Sequence, residues 1–243
     1  MKISVIIPNY NYGNYLTECL TSVFGSDIGK ENYEILLIDD ASTDLSVARA
    51  RDIAFHHRQP LRIFRNLTNA GLVISRNRGI SEARGEYLFF LDSDNLIGPS
   101  CLRKHLETME SSQDIMACYA PISDFHVNKE DVTGIRSNEA FDYERLLDGN
   151  YIDAMAMFRR SVFDRIGPYD TKMPLFGWED YEMWLRLGIN KCRVQFIEGP
   201  PLSYYRVHES SMLRRINYRQ MNALRSYLIG IYQVRFGELP EDE

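Results

Sequence analysis

The sequence predicts an α/β protein with a mostly parallel central sheet flanked by helices, followed by a smaller antiparallel and helical region. Three observations carry this. Over the first 120 residues, short apolar runs alternate with stretches of helical spacing, the rhythm of βαβ units. Two of the runs end abruptly in carboxylates, at Asp39-Asp40 and at Asp92-Ser93-Asp94, as strands buried on both faces do where they leave the core. The 243 residues, 44% hydrophobic and 26% charged, suffice for one large domain or two small ones.

The elements follow in order. Ile3–Ile7 reads as the first strand, and Leu16, Leu20 and Val23 give helical spacing to Tyr15–Phe24. Glu34–Ile38 is the second strand, with a helix near Leu45–His57. Leu61–Arg65 is the third, with a helix near Leu72–Ala83. Tyr87–Leu91 is the fourth, and the next helix follows Pro99, a residue suited to a first helical turn. Ile115–Tyr119 is the fifth. Beyond residue 120 the rhythm breaks into a polar, antiparallel excursion over 122–140, helical patterns near 141–148, 161–166 and 178–188, short strands near 192–197 and 202–206, and a helix from about 214 to 236. The second half is expected to pack on the same sheet.

Composition excludes several functions. A formal net charge of −6 gives no cationic field for nucleic acid. No apolar stretch is long enough to span a bilayer, and MKISVIIPNYN is too short in its apolar run for a secretory signal. Cys19, Cys101, Cys118 and Cys192 lack CxxC spacing and read as reduced, buried thiols, so the expected compartment is cytoplasmic. GxGxxG, GxxxxGK[ST] and GxSxG are all absent, which disfavours dinucleotide oxidoreductases, P-loop NTPases and serine hydrolases.

Three acidic constellations carry the chemistry, each with a plain structural alternative. After Asp39-Asp40, the residues Ser42, Thr43 and Asp44 offer helix caps; alternatively, Asp40 accepts a hydrogen bond from the imide N–H of a uracil-like base. Asp92 and Asp94 either cap a loop or supply two hard oxygen ligands to Mg²⁺ or Mn²⁺, with Ser93 turned out of the metal position. In GWEDYEMWLRL, Glu179 and Asp180 fall in a first helical turn; they either complement the helix dipole, or Asp180 is a general base for an acceptor hydroxyl. Two smaller pieces join them. Asn69, Gly71, Arg76, Asn77 and Arg78 gather at a helix start, where N–H groups and arginines meet phosphate or base, and His208 follows a strand.

The order SVIIPNYN, LLIDDASTD, NAGLVISRNRG, GEYLFFLDSDN, GWEDYEMWLRL and YRVHESS closely resembles the family 2 glycosyltransferases, from residue 3 to about 211. The resemblance implies a GT-A fold, a nucleotide-diphosphate-sugar donor (a UDP-sugar before others), Mn²⁺ or Mg²⁺, and inversion at the anomeric carbon. Residues 1–213 would form one domain, with a nucleotide-binding half over 1–120 and an acceptor-side half over 121–213, followed by a C-terminal helix and acidic tail over 214–243. It also implies that Pro8 and Tyr10 line the nucleotide pocket, Asp40 meets the base with Asp39 beside it, and Asn69, Gly71, Arg76, Asp92 and Ser93 contact the nucleotide. Asp92, Asp94 and His208 would serve the metal, Asp180 would be the base, and Trp178 and Glu179 would face the acceptor. The sequence departs from the family pattern at DDAS, which stands where DDGS is commoner, so Ala41 could restrict the turn. It also carries none of the transmembrane helices of the larger processive synthases, which implies transfer of one sugar or a few.

The expected acceptor is a saccharide or a lipid-linked acceptor in surface polysaccharide assembly. Between Arg214 and Arg235 there are five arginines and no acid, with Met221, Leu224, Leu228 and Ile231 at helical spacing. That stripe fits packing on its own domain, a homodimer, or shallow attachment to anionic lipid at the inner face of a membrane. Two rivals are a sugar-nucleotide pyrophosphorylase, which would want a glycine-rich basic loop in place of Pro8–Asn11, and a nonenzymatic nucleotide-sugar binding module.

Overall fold

Apolar runs of β-branched and aromatic residues pair into two sheets in the computed structural model, which describes residues 1–173, 177–208 and 218–233. Strands β1 (Ile3–Asn9), β2 (Tyr33–Asp39), β3 (Arg62–Arg65) and β4 (Tyr87–Phe90) are parallel, in the order β4-β1-β2-β3. The sheet continues beyond β4 through β9 (Met157–Arg159), β6 (Ile115–Tyr119) and β10 (Arg193–Phe196). β10 and β6 are parallel, while β9 runs antiparallel to β4 and to β6 and joins the two groups. Strands from the second half therefore extend the sheet of the first, as expected.

The sheet is covered on both faces, and the two-residue period of β1 shows how. Val5 and Ile7 enter one core with Leu16 and Leu20 of α1 (Gly13–Phe24) and Leu102 and Leu106 of α4 (Cys101–Ser111). Ile6 points to the other core, with Val73 of α3 (Leu72–Glu82) and Trp184 and Leu185 of α7 (Glu179–Ile189). Gly79 lets α3 lie directly on β1, since a Cβ there would fall 2.3 Å from Ile6 Cγ2. One turn earlier on that helix is Arg76, so this close approach sets the height of its guanidinium over the sheet edge. The four cysteines are free and buried, as the spacing predicts.

A smaller sheet, β5-β11-β7-β8, is built from β5 (Leu96–Ile97), β11 (Ser203–Arg206), β7 (Ile122–Phe125) and β8 (Val132–Arg136). β7 and β8 form the antiparallel excursion foreseen for 122–140. The remaining α-helices among the described residues are α2 (Ser46–His56), α5 (Tyr143–Asp148), α6 (Ser161–Ile166) and α8 (Tyr218–Tyr232). The sequence did not reveal β5 or β9. β9 is three residues long, and Met157 and Phe158 are buried on opposite faces, so it has no alternation to read.

In α8, Leu224 and Leu228 are fully buried in the second core, whereas Ile231 is 46% exposed. The side chain of Met221, residues 209–217 and the acidic tail lie outside the described residues. Tyr227 Oη donates to Asp170 Oδ2 at 2.6 Å, and Tyr232 donates to Glu182. The buried half of the stripe thus packs on its own domain. Among the described residues no helix is long and apolar enough to cross a membrane.

Candidate functional site

Because β1, β2 and β4 are parallel, their C-terminal ends share one edge. Asn9 is in register with Asp39, and Phe90 with Ile6. The chain leaves that edge at Asp40 and at Asp92, and a cavity of about 950 Å³ opens there. Open α/β sheets bind ligands at this edge. Pro8, Tyr10, Asp40, Asn69, Gly71, Arg76, Asp92, Ser93, Asp94, Trp178, Glu179 and Asp180 all line it. Asp39 and His208 do not.

Asp39 is a strut. It is fully buried, accepts from Asn9 Nδ2 at 3.1 Å and from the Ser42 amide at 3.2 Å, and pairs with Arg65 at 3.3 Å. The expected nucleotide contact at Asp39 is corrected accordingly. Its neighbour Asp40 anchors the next loop: Oδ1 accepts from Asn66 Nδ2 at 2.7 Å and Ala70 N at 2.9 Å, and Oδ2 from Gly71 N at 2.7 Å. A carboxylate has about four acceptor positions, so one is left for a base N–H. Gly71 makes this anchoring possible, because its φ of +94° is open only to glycine. Ala41 adopts the left-handed conformation, with φ +62°, so alanine pays a backbone strain that the commoner glycine would not. Of the expected caps for α2, only Asp44 reaches the first amide, accepting from Ser46 N at 2.9 Å, and Leu45 holds the cap position.

Arg76 is 1% exposed and joins the two halves of the site. Its Nη2 donates to Asp92 Oδ1 at 2.7 Å and its Nη1 to Glu179, while its buried Nε has no protein partner. Burial works against its charge, but Asp92 and Glu179 more than offset this and hold the guanidinium firmly protonated. Glu179 is 3% exposed, and its second oxygen accepts from Gly177 N at 3.0 Å. Each oxygen thus holds one partner, so Glu179 keeps Arg76 in place while still lining the cavity. Asn77 and Arg78 turn away from the cavity, to Tyr169 and to Asn66.

On the opposite lip, Asp94 Oδ2 lies 3.0 Å from His208 Nε2. The imidazole packs on Tyr15 with ring centroids 5.0 Å apart. Arg206 ties the end of β11 to the turn, its Nε donating to Asp94 O at 3.0 Å. Burial raises the Asp94 pKa; His208 opposes this and Asp92 adds to it. Among the described residues no three acidic, histidine or cysteine side chains are already arranged around a metal position. The donor set nonetheless fits a divalent cation. Six carboxylates line the cavity against two arginines, so a diphosphate would be repelled without added positive charge. Mg²⁺ and Mn²⁺ take one or two carboxylates and complete their shell with phosphate oxygens and water.

Asp180 opens α7 beside Glu179. Its Oδ1 accepts from Tyr181 N at 2.7 Å. Burial, then the charges of Glu179 and Asp153, push its pKa well above the usual carboxylate range, against the pull of Arg76. Trp178 adds an indole Nε1–H that is buried without a protein acceptor.

Sequence reasoning missed a wall of the cavity formed by Arg136, Ser137, Asn150–Ala154 and Tyr205. Arg136 forks onto Asp124 at 2.6 and 2.9 Å and stacks over the Tyr205 ring at 3.5 Å. Asp153 sits 3.8 Å from Arg136, its pKa pushed up to about 6 by burial against the pull of that arginine. These residues carry no motif; a loop and an edge strand bring them together.

The family model described as "Glycosyl transferase family 2" matches residues 4–167. The chain belongs to this family. A glycosyltransferase of Haemophilus influenzae is 30% identical over 210 residues, covering 85% of this chain and 68% of that protein. The poly(ribitol-phosphate) beta-glucosyltransferase of Bacillus spizizenii is 38% identical over 116 residues, 47% of this chain but only 18% of that protein. Among solved structures, S. aureus TarS in complex with UDP-GlcNAc superposes with a TM-score of 0.76 at 20% identity, covering 94% of this chain and 67% of that one. The mannosyltransferase PcManGT of Pyrobaculum calidifontis, in complex with GDP-Man and Mn²⁺, gives 0.71 at 20% identity, covering 98% and 66%. At this identity the likeness establishes the GT-A fold, as the motif order implied.

Proposed function

We propose that this family 2 member is an inverting glycosyltransferase. It moves a sugar from a nucleotide-diphosphate sugar, a UDP-sugar before others, to a hydroxyl of a saccharide or lipid-linked acceptor in surface polysaccharide assembly. The observation that carries this reading is the gathering of Asp40, Asp92, Asp94 and Asp180 around one cavity at the C-terminal edge of the sheet. Relatives point the same way: one is named for glucosyl transfer to poly(ribitol phosphate), and two fold neighbours were solved with UDP-GlcNAc and with GDP-Man and Mn²⁺.

Asp40 accepts from the base, while Pro8 and Tyr10 border the nucleotide. Asp92 and Asp94, with His208 behind Asp94, would hold Mn²⁺ or Mg²⁺. Such a cation, when bound, neutralises charge on the departing diphosphate. Arg76 keeps Asp92 turned to the diphosphate position. Asp180 takes the proton of the acceptor hydroxyl as its oxygen bonds the anomeric carbon; the bond to the diphosphate oxygen breaks, and its electron pair leaves with the nucleoside diphosphate. A carboxylate with a raised pKa is the stronger base for this step.

The test is nucleoside diphosphate release from a panel of UDP- and GDP-sugars with Mn²⁺, with and without saccharide acceptors. Release that requires the metal is the expected result. Pyrophosphate release from a nucleoside triphosphate would move the assignment to a pyrophosphorylase. Metal-dependent binding without turnover would leave a binding module.

A further inference from the structure

Arg136 and Asp153 present an unfilled donor and an unfilled acceptor to the same cavity. Arg136 spends Nε and Nη2 on Asp124, leaving Nη1 turned to Asp153 Oδ2 at 3.8 Å, beyond hydrogen-bond distance. Asp153 spends Oδ1 on Met155 N at 3.0 Å, leaving Oδ2. Both side chains are held in position. Arg136 is stacked 3.5 Å over Tyr205 and forked on Asp124, and the Asp153 carboxylate is tied to Met155 N at 3.0 Å on a backbone whose amide donates to Ser137 Oγ at 2.9 Å. Neither can swing to close the gap without giving up these contacts.

A sugar hydroxyl is the group that fills such a gap, because it donates to a carboxylate and accepts from a guanidinium at the same time. The location agrees. Asp153 lines the same cavity as Asp92 and Asp180, the residues assigned above to the diphosphate side and to the acceptor hydroxyl, and the transferred sugar must sit between those two groups. Charge then sets the class of sugar. Asp124 already neutralises Arg136, so the Asp124–Arg136–Asp153 group keeps one negative charge and repels a carboxylate.

We infer that Asp153 and Arg136 form a hydroxyl-reading subsite for the transferred sugar, which selects neutral hexose donors and rejects hexuronate donors. This rests on the nucleotide-sugar reading above. A site built to hydrogen-bond a hydroxyl discriminates strongly, because its own buried groups go unpaired with the wrong ligand.

The experiment is calorimetric titration, in Mn²⁺, of the intact protein with UDP, UDP-glucose and UDP-glucuronate, and with GDP, GDP-mannose and GDP-mannuronate. The neutral conjugate of the preferred nucleotide is expected to bind at least about tenfold more tightly than its uronate. Asp153→Asn should shrink that ratio to about threefold or less, with the affinity for the bare nucleoside diphosphate kept within about threefold. Equal affinities for neutral and uronate conjugates in the wild type would overturn the subsite alone. So would an Asp153→Asn variant that weakens the bare diphosphate as much as its conjugate, which marks a structural role. Failure of every nucleotide sugar to bind the wild type would overturn the donor reading, and the subsite with it.

Discussion

Arg76 Nη2 lies 2.7 Å from Asp92 Oδ1, a bond in the cavity wall between the third helix and the acidic turn after the fourth strand, with its arginine end buried. The same guanidinium holds Glu179 at the start of α7, so one side chain ties the Asp92 turn to the wall bearing Asp180. Removing one member of a buried ion pair costs about 3–5 kcal/mol, because the partner is left charged and unsolvated. Arg76→Ala is therefore expected to lower unfolding stability by about that amount and to abolish transfer. Arg76→Lys should also lose transfer, since one ammonium nitrogen does not reproduce the planar fork that places Nη1 on Glu179 and Nη2 on Asp92. Urea unfolding of both variants alongside turnover checks this. An Arg76→Ala protein of wild-type stability would show that the bridge contributes nothing.

Asp180 sets the expected pH dependence. Its raised pKa means that it is protonated, and unable to accept a proton, over more of the acid range than an ordinary aspartate near 3.9. Transfer efficiency should rise with pH through a midpoint above that value. Asp180→Asn should lie about 10²- to 10⁴-fold lower and lose that limb, while donor affinity survives. The sign for stability is the reverse. A folded-state pKa above the unfolded one favours folding at low pH, and this contribution is lost as pH rises through the folded value. Asp153, at about 6, places one such loss between about pH 4 and 6. In the metal-free protein, Asp153→Asn should flatten the decline in Tm over that window; an unchanged slope would assign it elsewhere.

Much of this was legible in the sequence where chemistry is local. Runs such as Ile3–Ile7 and Glu34–Ile38 declare buried strands, and carboxylates at their ends declare the binding edge once parallel pairing is assumed. The partners of those carboxylates were not legible. Nothing near Glu179 marks it as the counterion of an arginine 103 positions earlier, and nothing in Asn150–Ala154 marks Asp153 as a cavity residue. Asp39 and Asp40 look equivalent in sequence, yet strand alternation sends them opposite ways, one to the core and one to the cavity.

Asp94 and His208 are expected to act together on the cation. Their 3.0 Å contact sets the imidazole behind Asp94, and the Arg206 bond keeps the end of β11, two residues before His208, against the Asp94 turn. Asp94→Asn and His208→Ala should each weaken Mn²⁺ affinity, measured by calorimetry in the presence of UDP, by about 10- to 100-fold. Their melting temperatures in EDTA should stay near wild type. Unchanged Mn²⁺ affinity in Asp94→Asn would remove this residue from the metal site.

The C-terminal helix gives the last prediction. Leu224 and Leu228 are fully buried against the core that also holds Trp184 and Leu185 of α7, and Tyr232 reaches the buried Glu182 only two residues from Asp180. A side chain engaged in that core is not free to enter lipid. Leu224→Ala and Leu228→Ala should each cost about 2–5 kcal/mol of stability. They should also lower transfer by loosening the helix that carries Asp180, and leave sedimentation with anionic vesicles unchanged. Tyr232→Phe keeps the packing but leaves Glu182 one donor short, so a smaller loss is expected, about 1–3 kcal/mol. Loss of vesicle sedimentation in the leucine variants at undiminished stability would instead put the stripe on a membrane.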